Sequence, residues 1–421
     1  MRRGVGGRRA RCHTTTRGDS LKRLLAAAVA AIATLLMVTN ASGTSSMSMA
    51  SVGFASSENG IHLWAPMHTA PQRFTTQTAA EDAAKRFDLI TFNPAQLGGY
   101  ASAMKAANPN LKLYVYLNGT FLYKRLYGTV DSSMLAHDAR GRVISSHGYG
   151  NYLADPGDPN WVSYVQQSCA KLLSGTVYDG CYLDMLGTAP LWPGYATGLP
   201  INPATGQVWT KLDWLNATTA LAAKVASFTG KSVLGNGIGN GPRYFAPGAP
   251  SKLLLSGATG VSAEAWTRQA GAPLTRFEPT KAWVQDVDML SDASSTGGLA
   301  LTITKTWTAG TAAQKEDARR FALASFLLGN DGNSYFYFTA NKTDPATLDD
   351  PLYHLQIGSP TGPYVVRNGV YVRTFTSGKV MVNTTDSPVS IGLGGAYRRS
   401  DGSFALGATL PAHGSQIFTS S

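Results

Sequence analysis

Two acidic residues close otherwise apolar, strand-like runs: Asp184 in Cys181-Tyr182-Leu183-Asp184 and Glu264 in Val261-Ser262-Ala263-Glu264. Side chains alternate along a strand, so Tyr182 shares a face with Asp184, and Ser262 and Trp266 share one with Glu264. If both faces look into one cavity, the chain carries two opposed carboxylates. One can attack carbon or activate water, and the other can protonate a departing oxygen, which is the least equipment for breaking a glycosidic bond. The proton donor needs a raised pKa, which partial burial beside Trp266 supplies. Glutamate is scarce beyond the first 41 residues (Glu58, Glu81, Glu264, Glu278 and Glu316), and of these only Glu264 ends a strand-like run. Asp286 or Asp288 takes its place if the strand lies elsewhere.

Other polar and aromatic residues fall at the ends of strand-like runs or just beyond them. Trp64, Asn93, Tyr116, Asn118, Asn236, Trp266, Lys305 and Tyr337 form the candidate substrate-binding set, with Trp192, Trp209 and Trp307 in the same regions. Flat rings stack on sugar faces, and amides and amines hydrogen-bond hydroxyls. The six histidines after the leader (His62, His68, His137, His147, His354 and His413) include no pair at zinc-helix spacing, so neither a metal nor a cofactor is expected. A G-x-S-x-G elbow is absent, and Asp331-Gly332-Asn333-Ser334 lacks the closing glutamate of a calcium loop. Lys305 could form a Schiff base in a barrel, but an exported protein meets few phosphorylated metabolites.

These residues need elements to hold them. Short apolar strands at 61–67, 88–93, 112–118, 180–186, 232–238, 260–266, 299–307 and 334–339 alternate with helical patterns at 78–86, 99–107, 159–173, 213–228, 280–291 and 312–328. Asp158-Pro159 and Asp213 suit helix starts and Gly230 a helix stop. Eight such repeats predict a (β/α)8 barrel, whose chemistry sits at the C-terminal strand ends. The glycine-rich run 235–241 lacks phosphate-loop spacing and meets Pro242 at once, so it reads as a strand-to-helix loop. The long 186–213 connection, rich in Pro, Gly and aromatics, reads as a wall of the cleft. After residue 360, short strands separated by Asn-Gly, Ser-Gly and Asp-Gly predict a small antiparallel β-sandwich.

Of 421 residues, 14% are charged and 43% hydrophobic, a globular balance. The net charge of +11 is concentrated in residues 1–41, which hold eight Lys/Arg and one acid; the rest has 28 bases against 24 acids. With no basic run longer than two there, a nucleic-acid surface is excluded. The basic leader enters an apolar stretch at 24–38, short for a membrane span and right for a secretory signal. The expected divisions are a signal peptide at 1–41, a flexible lead-in at 42–57, a barrel at 58–345 and a β-sandwich at 346–421. The mature chain is expected to be extracellular and free of the membrane, with Cys169 and Cys181 joined as one disulfide.

The run Tyr178-Asp179-Gly180-Cys181-Tyr182-Leu183-Asp184 resembles the "D-G-hydrophobic-aromatic-hydrophobic-D" fourth strand of several barrel glycoside hydrolases, among them poorly characterised glycoside-hydrolase-like families and the endo-α-1,4-polygalactosaminidase group. Ser262-Ala263-Glu264-Ala265-Trp266 and the C-terminal β module are similar to that layout too. The resemblance implies a secreted hydrolase of a polysaccharide or cell-wall glycan, retaining and α-acting, with Asp184 as nucleophile and Glu264 as acid/base. The large β-linkage clan, with Asn-Glu ending strand four and Glu ending strand seven, does not match. The competing reading is a non-catalytic glycan-binding barrel. Carboxylates ~5–10 Å apart favour the enzyme; carboxylates splayed apart, or tied to Arg268 or Lys305, favour the binder.

Overall fold

The computed structural model describes residues 60–340 and 350–420. The expected leader, the lead-in and the 345/346 boundary lie outside the described residues. Eight parallel strands close into a barrel in sequential order: β1 (His62–Pro66), β2 (Leu89–Phe92), β3 (Lys112–Asn118), β4 (Gly180–Asp184), β5 (Ser232–Asn236), β6 (Gly260–Ala263), β7 (Leu299–Lys305) and β8 (Ser334–Thr339). The helices are α1 (Gln77–Arg86), α2 (Ala101–Ala107), α3 (Pro159–Leu173), α4 (Lys211–Thr229), the single turn α5 (Gly241–Tyr244), α6 (Thr280–Ser295) and α7 (Ala312–Gly329).

Local chemistry explains the boundaries. The Asp158 carboxylate accepts the Asn160 and Trp161 amides to start α3, with Pro159 in its first turn. Helix α4 begins earlier than expected because Thr210, not Asp213, is its cap; the Thr210 hydroxyl accepts the Asp213 amide and donates to the Asp213 carboxylate. Gly230 ends α4 in the left-handed region at φ 63°. Several strands stop sooner than their apolar runs, β6 at Ala263 above all. Cys169 on α3 is bonded to Cys181 on β4, pinning helix to strand at a Cα separation of 6.2 Å.

Inside the barrel, inward positions of successive strands stack Trp64, Tyr114, Tyr182, Leu234, Leu301, Ile303, Tyr335 and Tyr337 into a packed core. Their outward neighbours meet the helices in the larger core around Trp161, Trp266, Trp283 and Phe326.

The C-terminal module is one six-stranded antiparallel sheet of β9 (Val365–Arg367), β10 (Val370–Phe375), β11 (Gly378–Asn383), β12 (Val389–Arg398), β13 (Phe404–Leu410) and β14 (Ser415–Ser420), in the order β9-β10-β11-β14-β12-β13. Strand β13 carries little β-branching in Phe404-Ala405-Leu406-Gly407-Ala408, so its strand signal in the sequence is weak. A two-residue hairpin, Asn368 at φ 52° and Gly369 at φ 78°, joins β9 to β10. Period two sorts β11: Val380 and Val382 enter the barrel-side core, while Met381 packs with Val372, Leu393, Leu410 and Phe418 on the other face.

Arg373 on β10 joins the sheet to the barrel. Only 4% exposed, it donates to the Leu327, Leu328 and Asn330 carbonyls at the end of α7 and to the Gly362 carbonyl, and it pairs with Asp331. Arg373→Met is expected to destabilise the protein by about 2–4 kcal/mol, because it strands the buried carbonyl acceptors, while the exposed Asp331 turns to water. Chemical denaturation of the variant beside the wild type measures this, and a loss below about 1 kcal/mol would show that the sheet docks by apolar contact alone.

Candidate active site

The two carboxylates meet. Parallel register sets Asn118 of β3 beside Asp184 at the end of β4, and Glu264 follows β6 directly. Between them stands Asn236, the last residue of β5. Its Nδ2 donates to Asp184 Oδ1 and to Glu264 Oε1, each at 2.7 Å. Those two oxygens therefore stand no further apart than twice that length.

The bridge is held from below. Tyr182 on β4 donates to the Ser262 hydroxyl at 2.8 Å, and Ser262 donates to Asn236 Oδ1 at 3.0 Å, which turns the amide nitrogen towards both acids. The loops after β4 and β5 approach closely: a Cβ at Gly187 would lie 2.2 Å from the Gly237 carbonyl oxygen, so only glycine fits. That approach lets the Leu186 amide donate to the Asn236 carbonyl at 2.7 Å.

The charge states of the pair diverge. Asp184 accepts the Tyr116 hydroxyl at 2.6 Å, Asn236, and the amide of Met185, itself held at φ 65°. Burial and then the nearby Glu264 charge nevertheless push its carboxyl up to about 6. For Glu264, burial also acts upward. The Lys305 ammonium, 2.8 Å from Oε2, together with His68 and Asn236, outweighs it and holds the carboxyl below the usual range. One cavity thus contains a carboxylate that stays ionised and a carboxyl that retains its proton towards neutral pH.

The sequence missed His68, just past β1. Thr91 Oγ1 accepts the Trp64 indole N–H at 3.0 Å and shares a hydrogen bond with His68 Nδ1 at 2.8 Å, which fixes the plane of the imidazole. Burial lowers the imidazole to about 4 and keeps it neutral. Its ring stacks on Tyr116 and lies against Tyr182. The available signal was its place one turn beyond a barrel strand, which matters more here than spacing to another histidine.

These groups open into a cavity of about 720 Å³, whose walls include Asn93, Tyr123, Tyr149, Tyr195 and Trp307. Of the expected binding residues, Asn93, Tyr116, Asn118, Asn236 and Lys305 line it, but four of them have other duties, Tyr116 as the donor to Asp184. Asn118 Oδ1 accepts the Thr120 and Phe121 amides and shapes a turn; Asn236 bridges the acids; Lys305 binds Glu264 and lies 5.1 Å from the Trp307 ring centre. Trp64 and Tyr337 do not line it. They point inward as alternation requires, but one layer deeper, in the barrel core. Trp266 is corrected as well. Beyond Ala263 the chain leaves the strand and Thr267 takes φ 59°, so alternation fails and the indole turns outward, donating to the Asp286 carbonyl and meeting Phe326 edge-on.

The substitutes for Glu264 are placed elsewhere: Asp286 is buried on α6, accepting the Gly241 and Thr267 amides, and Asp288 accepts the Tyr364 hydroxyl. Arg268 donates to the Ala272 and Pro273 carbonyls rather than to Glu264. Trp209 is buried against Trp214, whereas Trp192 lines a second cavity beside the first. Among the described residues no cluster of His, Cys, Asp or Glu could hold a metal ion.

Several solved structures share the outline. An α-amylase from Malbranchea cinnamomea is 11% identical, covering 86% of this chain and 96% of its own, with a TM-score of 0.48. An α-amylase from Geobacillus thermoleovorans is 12% identical over 86% of this chain and 98% of its own, with a TM-score of 0.45. A GH36 α-galactosidase from Geobacillus stearothermophilus is 11% identical over 85% of this chain, with a TM-score of 0.49, and this chain spans 55% of its length. No curated protein matches the sequence. At the level of families the match is direct: the hypothetical glycosyl hydrolase family 15 pattern covers residues 105–379, both acids included, and the chain belongs to that glycoside hydrolase family.

Proposed function

We propose that the protein is a secreted, retaining polysaccharide hydrolase that works through Asp184 and Glu264. The observation that carries this is the single Asn236 amide nitrogen bonded to both carboxylates, which keeps their facing oxygens within twice 2.7 Å. Retaining enzymes hold their carboxyl groups ~5–5.5 Å apart, and inverting ones need ~6.5–9.5 Å to admit a water.

Charge suggests the roles. Glu264, ionised beside Lys305, attacks the anomeric carbon. Asp184 gives its proton to the leaving oxygen as the glycosidic bond breaks. The aglycone leaves, Asp184 takes a proton from water, and the resulting hydroxide displaces Glu264 from the sugar, restoring both groups. The His68 ring and the Tyr116 hydroxyl, which donates to Asp184, stand beside the reacting centre. The family resemblance assigns the roles the other way, with Asp184 as nucleophile at the end of strand four.

The secretory leader and the Cys169–Cys181 bond support export, and no helix among the described residues is long and apolar enough to cross a membrane. The ion pair between Lys305 and Glu264 favours the second reading, a glycan-binding barrel without catalysis. Against it, Glu264 remains 36% exposed at the cavity and keeps Oε1 facing Asp184.

Incubating the protein with a polysaccharide panel and following the released sugar by NMR tests the proposal. The expected result is cleavage of at least one polymer with the product's anomeric configuration unchanged from the substrate's. Trapping with a 2-deoxy-2-fluoro glycoside is then expected to label Glu264, whereas a label on Asp184 restores the strand-four assignment. Inversion would overturn the retaining mechanism, and binding without cleavage would leave the binder.

A further inference from the structure

The carboxylates do not sit at the end of a pocket. A second cavity of about 500 Å³ adjoins the first, and the two share Met185, Tyr195, Asn236, Glu264 and Lys305. The acids therefore lie near the middle of a longer cleft, with room for sugar residues on both sides. The two sides differ in chemistry. The first is rich in aromatic rings: Tyr116, Tyr123, Tyr149 and Trp307. The second carries the cations Lys211, Arg243 and Lys305, and its one acid, Glu264, is already paired with Lys305.

Arg243 is built into this wall. Its guanidinium lies over the Trp192 indole, 3.8 Å from the ring centre. Gly239, at φ 79°, lies beneath it, and a Cβ there would crowd Nη1 at 3.2 Å. Of the cations in this cavity Lys305 is paired with Glu264, whereas among the described residues neither Arg243 nor Lys211 has a carboxylate within ion-pair distance. A planar guanidinium fixed by stacking, with its fork free, is shaped to take a planar carboxylate bidentately.

We propose that this half of the cleft is a subsite for a uronic-acid residue, with Arg243 on its carboxylate, and that the substrate is an acidic polysaccharide cut internally. The inference rests on the hydrolase reading for the word substrate, but the subsite itself needs only binding. It also argues against polymers bearing free amines, which the three cations would repel.

The test uses the full chain with Asp184→Asn, which keeps the Glu264–Lys305 pair while silencing cleavage. Retention is measured by affinity electrophoresis at 0.15 M salt on polygalacturonate, alginate and glucuronoxylan, each beside its carboxyl-reduced form, and on chitosan. At least one acidic polymer is expected to be held about tenfold or more tighter than its reduced form, and chitosan not at all. Adding Arg243→Gln is expected to erase that preference while leaving the reduced polymers and the melting temperature unchanged. Equal retention of each pair would overturn the subsite, and so would a preference that survives Arg243→Gln, since it would then be diffuse attraction to a basic protein. Digestion by the wild type separates the two readings. Preferential binding without cleavage sinks the hydrolase and keeps the subsite, whereas equal cleavage of acidic and reduced polymers does the reverse.

Discussion

Glu264→Gln is expected to lower kcat by about 10⁴-fold or more on every substrate, whatever the leaving group, because glutamine cannot form the glycosyl ester. Asp184→Asn is expected to cost about 10²–10⁴-fold on natural linkages, the range for a lost general acid. On an aryl glycoside with a good leaving group its first step should be nearly unimpaired, since that oxygen departs without a proton. Steady-state and burst kinetics on matched natural and aryl substrates read this difference. If Glu264→Gln is the variant that spares the aryl substrate, the roles are exchanged; if neither variant loses activity, the pair is not catalytic.

The same substitution at Asp184 has a stability consequence of known sign. The folded-state pKa of about 6 lies above the ordinary carboxylate value, so the fold disfavours the charged form. Above pH 6 the ionised group destabilises the protein, and below about pH 4, where both states hold the proton, the penalty vanishes. Asp184→Asn should therefore raise the melting midpoint at pH 7–8 by a few degrees, about 1–3 kcal/mol after allowing for partial exposure to the cavity, and leave it unchanged at low pH. Catalytic residues commonly carry this kind of stability penalty.

Removing the Lys305 charge is expected to reshape the pH profile. With Lys305 in place, Glu264 stays ionised below the usual glutamate range while Asp184 keeps its proton up to about 6. Activity should then form a bell whose acid limb reports Glu264 and whose alkaline limb falls through about pH 6. In Lys305→Met, burial acts on Glu264 with only the weaker influences of His68 and the Asn236 hydrogen bond left to oppose it, and its pKa rises towards that of Asp184. The acid limb should move up by at least about one pH unit, and kcat/KM near pH 5 should fall about 10–100-fold. Lys305→Arg should hold the limb near its wild-type position. A Lys305→Met profile with unchanged limbs and only a higher KM would instead make Lys305 a substrate ligand.

The barrel was legible because the signals it needs are local. Strand-length apolar runs recur with helical patterns between them, and a polar cap or a glycine marks several helix ends, so β3, α3 and β8 begin and end where the sequence placed them. Asp184 and Glu264 were legible for a related reason: an acid closing an apolar run at the top of a barrel strand has few other places to point. The same alternation misplaced Trp266, because periodicity holds only while the strand lasts, and β6 ends three residues earlier, at Ala263. It also set Trp64 and Tyr337 on the correct face but not at the correct depth. Period two gives the side of a strand, and the stagger of neighbouring strands gives the height along the barrel axis.

His68, the Asn236 bridge and the Lys305 clamp belong to the tertiary structure. Each depends on distances between side chains 23 to 52 residues apart. No spacing along one chain encodes those distances, since they arise when the barrel closes and its loops pack. The sequence by itself determined the alternation of strands and helices, the disulfide partners and the two acids at the strand ends. Only the fold decided which acid keeps its proton, because that depends on the three-dimensional neighbourhood of each carboxyl: a lysine brought to one of them, and burial with a neighbouring negative charge outweighing three hydrogen bonds at the other.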